Sequence, residues 1–307
     1  MTHSSSGLPT RTLGRTGLQV TQLGYGAMEL RGPAVSDEQA ARVLGAVLDG
    51  GINYIDTSID YGASEERIGA TLGSRRGEYY LASKCGCAAQ QQAGERADHV
   101  FTRDNVVAGV EQSLRRLRTD HLDVVQFHAS PSRSTLEHEG ALDALLDLQR
   151  QGKVRFVGIS GTLPNLPEQI GMGVFDVFQI PYSALQPEHA QLISDAAAAG
   201  GGTVIRGGVG KGALAPDKEG VSPRGLASGE PQQLWERAQL DDLLDGASRN
   251  EFILRFTLSH PDLHTTIVGT ASIDHLAANL DAARKGPLAA DVYDEASRRL
   301  KKAQARQ

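Results

Sequence analysis

The sequence predicts an α/β protein built as a (β/α)8 barrel, and three observations predict it. Strand and helix patterns alternate along most of the 307 residues. The later strands read as continuous apolar runs, as expected of parallel strands buried on both faces. Ionisable residues stand at or just beyond the ends of three successive strands, and in a parallel barrel those ends open together on the catalytic face. The chain is long for one domain, but α/β barrels reach this length as one unit. Residues 1–307 are therefore expected to form a single barrel domain, with 1–9 a flexible N-terminus.

The elements follow in order. Thr10-Arg11-Thr12-Leu13 and Leu18-Gln19-Val20 flank Gly14-Arg15-Thr16-Gly17, a hairpin signal. The first barrel strand lies around Leu23 to Gly26. Ser36 with Gln39 three residues on is a capping-box pattern, opening a helix that Gly50-Gly51 stops after about Asp49. The second strand ends at Asp56, and a short helix starts at Ser64. The third, Tyr79 to Ser83, delivers Lys84; its helix starts at Thr102, with Val106, Val107, Val110, Leu114 and Leu117 at helical spacing. The fourth, Leu122 to Phe127, delivers His128, and a helix follows over Ala141 to Gln151. Strands over Val154–Ser160, Val177–Pro181, Gly202–Ile205 and Thr265–Val268 complete the set. A helix from Ser272 to about Ala283 closes the eighth unit, and an extra one spans about Ala289 to Ala305. Between the last two strands, Gly207 to Gly246 is a long Gly/Pro/charge-rich excursion, a lid candidate.

Composition narrows the function. Hydrophobic residues at 40%, charged residues at 22% and a net charge of −6 describe a globule with a sizeable core and no call for nucleic acid or an anionic membrane as partner. The polar start lacks the apolar core of a signal peptide, and no run approaches the roughly 18 apolar residues of a membrane span, so a cytoplasmic location is expected. The two cysteines, Cys85 and Cys87, are too close for an unstrained disulfide. No further Cys and no nearby His completes a zinc set, so reduced thiols and no metal are expected.

The stretch Gly51-Ile52-Asn53-x-x-Asp56-Thr57-Ser58-x-x-Tyr61-Gly62-x-Ser64-Glu65 resembles the signature of the aldo-keto reductases. Lys84 after the third strand and His128 after the fourth stand where that family carries its other two catalytic residues. The resemblance runs from the hairpin to the last barrel helix. It implies reversible reduction of an aldehyde or ketone to an alcohol by a nicotinamide hydride. Tyr61 would be the general acid/base, the Lys84–Asp56 couple would tune its pKa downward, and His128 would orient the carbonyl. An aldose or polyol dehydrogenase on the same fold is the alternative, and a non-catalytic cofactor-binding sensor subunit the further one.

For the cofactor, the resemblance implies a nicotinamide carboxamide held by Ser160 and Gln179, with Gly161 where the family has Asn. Tyr182 would flank the ring, and Gly26 would lie beside the cofactor. Arg206, Gly207, Gly208 and Lys211 form a Gly-rich turn suited to phosphate. Gly269, Thr270, His275 and Asn279 align with the segment that holds the adenosine end. The Lys, Ser and Arg that grip a 2′-phosphate in many relatives are here Gly269, Thr270 and His275. NADP is favoured on family grounds, with NAD an alternative. Tyr25, Met28 and Trp235 are substrate-pocket candidates, although Trp235 reads more simply as a packing anchor for the excursion that holds it and Met28 could equally be core. The expected partner is a small carbonyl compound or sugar; oligomeric state stays open.

Overall fold

The computed structural model describes residues 7–89, 99–210 and 230–305. Strands β1 (Thr10–Thr12) and β2 (Gln19–Thr21) pair antiparallel as the expected hairpin. Eight parallel strands then close a barrel: β3 (Leu23–Gly26), β4 (Tyr54–Asp56), β5 (Tyr80–Cys85), β6 (Leu122–Phe127), β7 (Val154–Ser160), β8 (Val177–Pro181), β9 (Gly202–Arg206) and β10 (Thr265–Val268). β10 bonds to both β9 and β3, which leaves the sheet without an edge.

Around it lie α1 (Asp37–Asp49), α2 (Ser64–Leu72), α3 (Arg103–Leu117), α4 (Arg133–His138), α5 (Ala141–Arg150), α6 (Leu166–Gly171), α7 (Ala190–Ala198), α8 (Glu230–Arg237), α9 (Arg249–Leu258), α10 (Ile273–Lys285) and α11 (Ala290–Gln304). Among the described residues, no helix is long and apolar enough to cross a membrane. Ser36, Thr102, Ser248 and Ser272 accept the backbone N–H three residues on, capping α1, α3, α9 and α10. Only half of the expected capping box at Ser36 forms: Gln39 does not return to the cap, and its amide donates to Ala271 O at 2.9 Å.

Strand parity organises the molecule. Successive side chains point to opposite faces. Ile55, Leu81, Val125, Phe127, Val157, Ile159, Phe178, Ile180 and Ile205 pack outward against the helices. Tyr54, Tyr80, Ala82, Val124, Val177, Val204 and Ile267 pack inward, joined by Leu13, Leu18 and Val20 of the hairpin. The hairpin thus stoppers the N-terminal end of the barrel.

Three expectations change. Leu8 is buried and Pro9 O accepts a bond from Gln22 N at 2.8 Å, so the chain is anchored from residue 8; residues 1–6 lie outside the described residues. Of the excursion after β9, residues 211–229, with Lys211, lie outside the described residues, while the part from Glu230 is helical rather than loop. Trp235 in α8 is fully buried: its Nε1 donates to Asp241 Oδ1 at 2.9 Å and its ring meets Phe252 edge-on. It is a packing anchor for that segment, not a pocket wall.

Candidate active site

The inward parity that packs Tyr54, Ala82 and Val124 continues two residues further along each strand, to Asp56, Lys84 and Gln126, and to His128 just past β6. The same count on β8 and β9 reaches Gln179 and Arg206. Six polar residues are therefore carried to one end of the lumen by strand geometry alone.

At the centre, Lys84 Nζ lies 2.5 Å from Asp56 Oδ1 and 2.8 Å from Thr57 O. Both side chains are almost wholly buried. Asp56 Oδ2 accepts from the amides of Gln126 and Gln179, each at 2.9 Å. Burial alone would lower the Lys84 pKa, but Asp56 and the surrounding groups outweigh it and hold the ammonium above its ordinary value. Gln126 was not singled out from the sequence, although a polar residue two before His128 in an apolar strand carried the signal.

Tyr61 covers this pair. Lys84 Nζ sits 4.9 Å from the ring centroid, and the His128 ring stands nearly perpendicular at 6.2 Å. The loop is braced from below: Thr57 Oγ1 and Ser64 Oγ bond at 3.0 Å, and Arg116 reaches Ile59 O at 3.2 Å and Glu66 at 2.8 Å. Buried Glu65 accepts from Ser83 Oγ at 2.8 Å. The expected downward tuning of the phenol is corrected. Burial pushes the Tyr61 pKa up, Lys84 opposes it, and the carboxylates of Asp56 and Asp60 add to the rise, so the net direction is upward.

His128 is driven to the neutral imidazole, its pKa falling to about 3 through burial first and the Lys84 charge second. Its Nδ1 lies 3.2 Å from Cys87 Sγ and 3.7 Å from Asp60 Oδ1. Asp60 also lines the site and accepts from Ser58 Oγ. Burial, then Asp60, keeps the Cys87 thiol protonated far above its ordinary range. The expectation that no histidine lies within reach of the cysteines is also corrected: His99 and His128 both come to Cys87. Two successive residues after His128, Ala129 and Ser130, have φ of +62° and +51°. Such backbone costs about 1–3 kcal/mol per residue and persists only when its surroundings fix it. Here Ser130 exchanges bonds with Thr162, and Asn165 and Gln169 donate to Ser130 O and Pro131 O.

The candidate cofactor residues divide. Ser160 Oγ donates to Gln179 Oε1 at 3.2 Å, so these two stand together beside Asp56. At Gly161 a Cβ would lie 2.6 Å from both Gln169 Oε1 and Leu166 Cδ1. The Asn of the resembled pattern would have to displace the ends of both side chains, and the Gln169 amide oxygen lies at that spot instead. Gly207 (φ +74°) opens a turn that Gly210 N closes on Gly207 O at 2.8 Å, with Gly208 O held by Thr257 Oγ1. Gly26, ending β3, lies against Gly269, where a Cβ would stand 2.7 Å from Gly26 O. Thr270 Oγ1 accepts from Ser272 N at the mouth of α10, whose exposed His275 and half-buried Asn279 follow. Arg206 is half-buried, with Nε buried and unpartnered. Its strand phase turns it into the lumen, at the end of β9 and directly before the Gly207 turn.

Two more expectations fail on parity. Tyr182 shares the outward phase of Ile180, is buried against Phe256, and bonds Tyr293 through its hydroxyl at 3.1 Å, so it does not flank a nicotinamide. Tyr25, outward like Leu23, is buried on the helix side of the barrel with its hydroxyl on Thr270 O at 2.6 Å, away from the lumen. Met28 is exposed in the turn after β3.

The chain is similar to known proteins along nearly its whole length. An uncharacterised oxidoreductase of Bacillus subtilis is 26% identical over 299 residues, spanning 89% of this chain and 90% of that one. The L-galactose dehydrogenase of Arabidopsis thaliana is 28% identical, over 89% and 87% of the two chains. The solved holo form of an aldo-keto reductase from Bacillus halodurans superposes with a TM-score of 0.83 at 28% identity, covering 95% of this chain and 96% of that one. The model of the Aldo/keto reductase family matches residues 22–299, and the chain belongs to that family of oxidoreductases.

Proposed function

We propose that the protein reduces an aldehyde or ketone to an alcohol, reversibly, with NAD(P)H as hydride donor and Tyr61 as proton donor. The observation that carries this reading is the buried Asp56–Lys84 pair beneath the Tyr61 ring, with neutral His128 across from it. The site suits a nicotinamide dinucleotide. Three buried polar atoms at this end of the barrel, Gln126 Oε1, Gln169 Oε1 and Arg206 Nε, have no partner, and the turn at Gly207 leaves space where a side chain would stand. Ser160, Gln179 and Gln169 would hold the carboxamide, and the Gly207–Gly210 turn the pyrophosphate. When bound, the cofactor supplies the hydride.

The protein's own residues do the rest. His128, as a neutral imidazole, donates a hydrogen bond to the carbonyl oxygen and fixes its direction. Tyr61, held protonated by burial, gives its proton to the developing alkoxide. Lys84, kept cationic by Asp56, then stabilises the phenolate left behind. A raised phenol pKa favours the acid form needed for reduction over the base form needed for oxidation.

Cofactor choice follows from charge. The first turn of α10 offers Asp274 and His275, and no Lys or Arg occurs in that helix before Arg284. NADP therefore binds only modestly better than NAD, within about tenfold, or about 1.4 kcal/mol. A sugar dehydrogenase is the second reading, supported by the likeness to the Arabidopsis L-galactose dehydrogenase. The test is to follow nicotinamide absorbance with both cofactors, in both directions, over a panel of carbonyls and aldoses. Carbonyl-dependent oxidation of NAD(P)H that vanishes in Tyr61→Phe supports the reading. Tight cofactor binding with no turnover of any compound refutes it.

A further inference from the structure

Cys87 and His99 face each other across an antiparallel bridge, fixed by Val100 N donating to Gly86 O at 2.7 Å. Direct partners in such a pair carry their Cβ atoms about 4.5–5.5 Å apart on one side. His128 arrives from the end of β6, its Nδ1 3.2 Å from Cys87 Sγ and its ring edge-on to His99 at 5.3 Å. One ligand atom from each of the three residues lies within 4.8 Å of the others. Zn–S bonds of about 2.3 Å and Zn–N bonds of about 2.0–2.1 Å at tetrahedral angles set ligand separations of about 3.3–3.6 Å. Side-chain shifts on the order of 1 Å close the three groups on one ion.

The surroundings suit a cation. Cys87 is buried at the floor, His128 is half-buried and His99 is exposed, which gives an entry from solvent. Asp60 Oδ1, 3.7 Å from His128 Nδ1, adds a carboxylate, and the nearby Lys84 charge is offset by Asp56. One thiolate and two imidazoles with a position left for water is a donor set that favours Zn2+ over hard cations.

We propose that Cys87, His99 and His128 bind a single Zn2+ ion, and that its binding withdraws His128 from the carbonyl and stops turnover. The ion displaces the Cys87 thiol proton, which leaves to solvent. The inhibitory consequence rests on the carbonyl-reductase reading; the ion site does not.

The test uses the full-length, metal-stripped protein with Co2+ as a spectroscopic substitute and Zn2+ as competitor. Expected are a thiolate-to-cobalt charge-transfer band in the wild type, its absence in Cys87→Ser, and its bleaching by Zn2+. In His99→Gln, Zn2+ affinity, measured against a chromophoric chelator, falls by more than about 100-fold, beyond the loss outer-shell partners alone cause. That variant turns over like the wild type without metal and resists Zn2+. A Co2+ band in a protein that reduces no carbonyl supports the site while removing the enzymatic reading. Absence of the band, or equal Zn2+ affinity in wild type and His99→Gln, overturns the site. Turnover unaffected by saturating Zn2+ overturns the inhibition.

Discussion

Asp56→Asn isolates the charge at the heart of the site. The replacement is isosteric, and the amides of Gln126 and Gln179, which both donate to Asp56 Oδ2, can each turn to accept from the new Asn NH2, Ser160 Oγ then accepting from the turned Gln179. What remains is a buried ammonium without its carboxylate. Breaking a buried pair by removing one partner costs about 3–5 kcal/mol, which lowers Tm on the order of 10 °C in a protein of this size. The pH dependence carries its own sign. In the wild type the folded Lys84 pKa lies above its unfolded value of about 10.4, so the pair's contribution is complete below that pH and lost only as pH rises beyond it. Without Asp56, burial dominates and the folded value drops below the unfolded one. The unfolded chain then binds the extra proton, and the variant gains stability as pH climbs toward 10.4. Urea denaturation from about pH 6 to 9, followed by circular dichroism and by the emission of the sole, buried Trp235, reads both effects. A loss under about 1 kcal/mol, or the same loss at every pH, refutes the reasoning.

Tyr61→Phe abolishes carbonyl reduction while cofactor affinity, read by fluorescence titration, stays within about twofold; retained turnover removes Tyr61 as the proton source. Because the Tyr61 pKa is raised, kcat/KM for reduction stays level from neutral pH to about 10, the ordinary phenol value, and falls only beyond it. His128, with its pKa near 3, adds no inflection between pH 5 and 8; one that disappears in His128→Gln would contradict its neutral state. Gly161→Asn, which restores the family's residue, destabilises by about 1–3 kcal/mol through overpacking on Gln169 and Leu166, and a thermal melt showing no loss would mean that α6 yields. Trp235→Phe costs about 1–2 kcal/mol through the lost indole packing and the lost Nε1–Asp241 bond, while Asp241 keeps its pair with Arg249 and turnover is unchanged.

The strands were the most legible part of the chain. Val154–Ser160, Val177–Pro181 and Thr265–Val268 match the sequence reading to the residue, because each is a short run rich in β-branched and apolar residues, interrupted only by single polar positions such as Arg155 and the site residue Gln179. The helix α9 escaped, since FILRFT is buried nearly all round and presents no polar stripe. Asp56, Tyr61, Lys84 and His128 lie together, as their places at or just beyond the ends of three successive strands suggested. Side-chain direction was harder. Tyr182 stands three residues from Gln179, an odd count that sends it to the other face, whereas the outward phase of Tyr25 needs the register of β3 on β4, where it pairs with outward Ile55. Pairings between residues well apart in the sequence were beyond reach: nothing local to Cys87 announces that His99 will lie opposite. The sign of the Tyr61 shift needed burial, which letters do not carry.

The plug formed by Leu13, Leu18 and Val20 has a consequence for how this protein can change. Substitutions there loosen the far end of the lumen without moving any of the groups that handle protons, so durability and chemistry drift along separate tracks. A side chain's height on its strand tells which track it belongs to: low rungs carry cohesion, high rungs carry reactivity. Engineering that seeks tougher variants has its free hand at the stoppered end, and engineering that seeks new substrates at the other.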